Sequence, residues 1–70
     1  MTMHNLQPHQ QRVVDEKTEL DARCNRLDVF ILSPQFRALD DAERDRMRRQ
    51  WLAMISYSSI LGERIAAFKP

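Results

Sequence analysis

Seventy residues with 11 basic and 10 acidic side chains leave a formal net charge of +1, so bulk charge selects no nucleic acid, membrane surface or acidic partner. At 43% apolar and 30% charged, the chain fits one folded domain at most, too small to bury a large core by itself. Its single cysteine, Cys24, excludes an intramolecular disulfide and makes the cytoplasm the default compartment. The longest apolar runs, such as Trp51-Leu52-Ala53-Met54-Ile55, fall far short of the roughly 20 residues that a bilayer span needs.

Residues 1–7 are polar, lack an apolar signal core and read as a short flexible tail before one helical-hairpin domain over 8–70. Pro8 suits the first turn of a helix, where its missing N–H costs nothing. No breaker follows as far as Leu32, and Val13, Lys17, Leu20, Cys24, Leu27 and Ile31 keep an alternating four-three spacing. That rhythm predicts one amphipathic helix.

Ser33-Pro34 ends it, because a residue before proline is driven out of the helical region. Ser33 can then cap a short helical turn in which Phe36 and Leu39 close the bottom of the structure. Asp40 is a good N-cap for a second long helix, and Glu43 can reach back as in a capping box. This helix is expected to run from about Asp41 to about Phe68, with Lys69 beyond its last turn as the helix dipole prefers.

Met47, Trp51, Met54, Ser58, Leu61, Ile65 and Phe68 form its four-three seam. The short connection forces the two long helices antiparallel. With Ile31 across from Met47, Leu27 faces Trp51, Cys24 faces Met54, Leu20 faces Ser58, Lys17 faces Leu61 and Val13 faces Ile65. Large residues then stack near the turn, and polar Lys17 and Ser58 interrupt the open end. Leu52, Ile55 and Ile60 are more apolar than one partner helix requires, which predicts a homo-oligomer, a dimeric four-helix bundle or larger. The fold class is therefore all-α: an antiparallel helical hairpin with a short connecting turn, assembled into a bundle.

Little in the chain suggests catalysis. The only histidines, His4 and His9, lack the three or four converging ligands of a metal site. Cys24 sits on the seam with no base to activate it, as a small hydrophobe does. Glu19–Arg23, Asp40–Arg44 and Asp45–Arg49 have the spacing of surface ion pairs. Arg44, Arg46, Arg48 and Arg49 point around the helix rather than along one stripe, which argues against nucleic acid, although a DNA-associated role remains a third reading. The expectation is no enzyme, no metal and no cofactor.

A polar line runs beside the seam. Gln50, Tyr57 and Arg64 stand seven apart, with Arg46 beside them, while Arg12, Glu16, Glu19, Arg23 and Arg26 keep the same rhythm on the first helix. Such positions commonly hold interhelical hydrogen bonds. They also suit a phosphate-bearing nucleotide: Arg12, Lys17 and Arg64 supply charge, Tyr57 a stacking ring, and Gln50 polar support.

The stretch from Gln11 through Asp21, with Leu27, Phe30 and Ile31, resembles a family of short phage-encoded proteins labelled crAss-phage-related, of unknown function. So does Gln50-Trp51-Leu52-Ala53-Met54 running on to Tyr57, Leu61, Gly62, Glu63, Arg64 and Ile65. The resemblance covers roughly residues 8–68 and includes the polar Gln11, Arg12, Glu16, Lys17, Glu19, Gln50, Tyr57 and Arg64. It implies a phage or prophage accessory protein in the host bacterial cytoplasm. By analogy with small helical phage proteins that soak up immune nucleotides, the leading expectation is a non-catalytic anti-defence binder that sequesters a nucleotide messenger within an oligomer. The alternative is an inhibitor or adaptor that docks Leu52, Ile55 and Ile60 on a host or defence protein.

Overall fold

Pro8 does stand at the first position of the first helix, α1 (Pro8–Ile31), in a computed structural model that describes residues 6–68. His4, the rest of 1–5 and Lys69 lie outside the described residues. Gln7 is the N-cap of α1: the Gln7 carbonyl accepts from the backbone N–H groups of Gln10 and Gln11, each at 2.9 Å, and the Gln7 N–H donates to Gln10 Oε1 at 2.9 Å. The helix ends one residue earlier than expected. Leu32 is its cap, with φ −86° and ψ 0°.

Ser33 caps the short α2 (Pro34–Arg37) by accepting from Phe36 N, as its place before proline leads one to expect. Its hydroxyl also donates to the Phe30 carbonyl at 2.6 Å, closing the end of α1. Asp40 caps the second long helix, α3 (Asp41–Ala66), by accepting from Glu43 N at 2.8 Å. Only half of the expected capping box forms, because the Glu43 carboxylate takes Arg46 Nε at 2.9 Å instead of turning back.

Arg44 departs from its expected Asp40 partner. Asp40 is occupied as the cap, and Arg44 pairs with Asp41. Its guanidinium also donates to the carbonyls of Arg37 at 2.9 Å and Leu39 at 2.6 Å. The end of a short helix leaves such carbonyls without partners, and an arginine one turn into the next helix supplies them.

The long helices lie antiparallel in a slender hairpin of 49 × 16 × 14 Å. Lys17 on α1 bonds Ser58 on α3, while near the turn Ile31 and Arg48 line one groove, which fixes the register close to the expected pairing. The described residues are helical and contain no strand.

The core sits at the open half. Val13, Leu20 and fully buried Leu61 form its centre, with Met54, Ile65 and Phe68 packed against it. The large residues expected to stack near the turn, Ile31, Met47 and Trp51, are only half-buried, and the polar interruptions at the open half do not prevent a core there. The turn is closed by α2, with Phe36 at the bottom of the structure as expected. Phe36 is 2% exposed, Phe30 meets it edge-on at 6.3 Å, and the Arg48 guanidinium lies 5.0 Å above its ring.

Candidate functional site

Rotation along a helix decides which polar residues can meet. Arg12 and Lys17 are five residues apart, which turns them about 140° from one another on an α-helix. They therefore belong to opposite flanks of the hairpin.

On one flank Gln50, Tyr57 and Arg64 are exposed and repeat every seven residues along α3, each step rising roughly 10 Å. Val13 packs in one cluster with Leu61 and Ile65. Arg12 precedes Val13 and Arg64 precedes Ile65, so both guanidinium groups stand at the open end. Among the described residues neither is in an ion pair. Tyr57 is 43% exposed and presents its ring two turns nearer the middle. Gln50 lies two turns further still, with Nε2 3.9 Å from Met54 Sδ. Arg12, Tyr57 and Arg64 thus share a flank, and Gln50 trails toward the turn.

Lys17 does not join them. Its Nζ donates to Ser58 Oγ and to Asp21 Oδ2, each at 2.9 Å, and its stem runs beside Gly62. Ser58 in turn donates to Asp21 Oδ1, closing a three-residue polar cluster. The Ser58 hydroxyl first, and then the Lys17 ammonium, hold the Asp21 carboxyl below its ordinary value; partial burial opposes them. A cation so occupied has little left for a ligand. Its spacing on the seam gave no sign of this, because Asp21 lies off the seam and its partnership appears only once the helices are docked.

The Lys17 flank carries a trough that sequence spacing missed. One part, about 220 Å³, is lined by Asp21, Cys24, Asn25, Asp28, Trp51 and Ile55. A second, about 280 Å³, shares Asp28 and Trp51 and adds Ile31, Arg48 and Leu52. Trp51 Nε1 is shut off from solvent here without a partner among the described residues. Two carboxylates make this trough a poor phosphate site, because like charges at short range repel.

The basic stretch is largely engaged: Arg46 pairs with Glu43, Arg49 with Asp45 and Arg44 with Asp41, while Arg48 stacks on Phe36. Glu19 and Arg23 make a looser pair at 3.9 Å. Cys24 is a buried free thiol in the helix interface. No cluster of three or more metal-ligating side chains occurs among the described residues, and no described helix is long and apolar enough to cross a membrane.

A family model described as Sequestin matches residues 7–67. A phage T4 protein described as an uncharacterized 7.5 kDa protein in the denB-rIIB intergenic region is 34% identical over 61 residues, covering 87% of this chain and 95% of its own length. No solved structure matches. The phage connection implied by the resemblance is carried by the T4 relative, while the matching family is described as Sequestin rather than crAss-phage-related.

Proposed function

This chain belongs to the Sequestin family, and from that membership and the geometry above we propose that it is a non-catalytic phage anti-defence binder. In this reading it sequesters a nucleotide immune messenger within an oligomer, in the host bacterial cytoplasm. The family's name, Sequestin, suggests sequestration and supports this reading. The observation that carries the nucleotide is the flank on which two exposed arginines, Arg12 and Arg64, in no ion pair among the described residues, stand with an exposed tyrosine. Arginine forks suit phosphate oxygens, and a tyrosine ring offers a face on which a base stacks.

Gln50 supports the far end of this row, and Lys17 holds the helices together rather than the ligand. The flank is open, so excluding water from a bound nucleotide calls for a second copy. Two such rows facing one another repel until an anion sits between them. The test is recovery. Protein incubated with a cyclic or ADP-ribose-type nucleotide should deplete it from a filtrate, and heat denaturation should release the same compound unchanged. A released product of altered mass would contradict a sequestering role.

A further inference from the structure

The trough on the Lys17 flank is a surface the nucleotide reading does not use. We infer that it is the face on which a second copy of this chain docks, around a two-fold axis parallel to the helices, with Asp28 of each copy paired to Arg48 of the other. This inference concerns the flank opposite the one proposed to hold the nucleotide, so it adds a separate contact between copies and does not depend on the ligand.

Three observations carry it. The first is charge. Asp28 and Arg48 line the same groove, so they stand at the same height, one on α1 and the other on α3. A two-fold axis along the bundle lays α1 of one copy over α3 of the other, and each carboxylate then meets a guanidinium twice over. Among the described residues the two groups form no ion pair, and Arg48 is already held over the Phe36 ring.

The second is apolar exposure. Leu52 and Ile55 are 57% and 43% exposed on this flank, beside half-buried Trp51 with its unpartnered indole N–H. The exposed Leu52 and Ile55 need cover, and together with the groove beside them they make an apolar patch suited to a protein surface.

The third is shape. The flank is 16 Å wide, and the trough's lining runs along α1 from Asp21 to Ile31, about 15 Å by helix rise, so the two parts form one continuous strip that a helix of a second copy can cover.

The experiment uses the full chain without nucleotide, in sedimentation equilibrium. The wild type should sediment at twice 8.3 kDa in the micromolar range. Asp28→Arg and Arg48→Asp should each weaken the dimer at least tenfold, since each change sets like charges against one another across the axis. Mixed in equal amounts, the two variants should recover a heterodimer, because every pair across the axis is again opposite. Restoration on mixing separates contact between chains from any effect inside one chain, and circular dichroism checks that each variant stays helical. A monomeric wild type at 100 µM, or a wild-type dimer that neither variant weakens, overturns the inference, as does failure of the mixture to associate. A monomer that captures a foreign protein through this face would do so as well. A dimer that responds as expected but binds no nucleotide would instead sink the proposed ligand and leave the interface standing.

Discussion

Lys17 Nζ lies 2.9 Å from Ser58 Oγ, a hydrogen bond between residues 41 positions apart that ties the two long helices at the open half of the hairpin. With Asp21 accepting from both, the bond places a polar cluster where the seam pattern would have placed two apolar residues. Both polar interruptions of the seam are thereby accounted for by structure. The ligand reading then rests on the opposite flank.

Removing the hydroxyl tests that account. Ser58→Ala leaves the Lys17–Asp21 pair but breaks the link between helices. Hydrogen bonds to charged groups contribute about 1.5–3 kcal/mol, and half-exposed partners place this one near the lower end. A lower melting temperature by circular dichroism is expected, with the folded helix content unchanged.

Acid should act through the same cluster. The Asp21 carboxyl is held below its ordinary value, by Ser58 first and Lys17 second. A carboxyl with a depressed folded pKa contributes stability above its unfolded pKa and loses it as the pH falls through the folded value. Melting temperature should therefore drop below the ordinary carboxylate range, and Asp21→Asn should flatten that part of the curve. In Ser58→Ala, a carboxyl-carbon NMR titration should show the Asp21 midpoint moving up toward its ordinary value. Identical acid profiles for wild type and Asp21→Asn would remove the cluster from the stability of the fold.

Leu61 is fully buried at the centre of the small core, against Val13 and Leu20. Truncating a buried leucine to alanine costs about 2–5 kcal/mol, more where neighbours cannot collapse into the space. For a hairpin with so few buried side chains, Leu61→Ala is expected to abolish a cooperative thermal transition. A retained transition within a few degrees of the wild type would show that stability lies mainly in contacts between copies.

The elements were legible in the sequence because their boundaries are local. Ser33 before Pro34 and Asp40 before an acidic turn act through bonds that span three residues, and both caps form as read. The four-three seam marked the buried stripe, since periodicity alone sets it, and the short connection made the pairing antiparallel. The partner of Arg44 and the fate of Lys17 were not legible in this way. Arg44 is drawn to carbonyls that become available only where α2 stops, and Lys17 to a serine on another helix. The candidate site was half legible: spacing placed Tyr57 and Arg64 on one flank, but grouping Lys17 with them ignored its rotation around α1. The trough around Trp51 had no signal in the sequence, because it exists only between two docked helices.

The two flanks should separate by mutation. Tyr57→Ala and Arg64→Ala are expected to weaken nucleotide binding at least tenfold, with melting temperatures close to the wild type, since both side chains are exposed. Lys17→Met should do the reverse, lowering stability while leaving affinity within about twofold, because its ammonium is committed to Asp21 and Ser58. Loss of affinity in Lys17→Met with unchanged stability would return Lys17 to the ligand.

The most direct measurement is titration calorimetry of the folded wild-type protein against a panel of cyclic and ADP-ribose-type nucleotides. The account predicts saturable binding of at least one of them, exothermic as charge-assisted hydrogen bonds form, and lost in Tyr57→Ala and Arg64→Ala. Absence of heat with every nucleotide, from protein whose helix content and sedimentation show it to be folded, would contradict the proposed function.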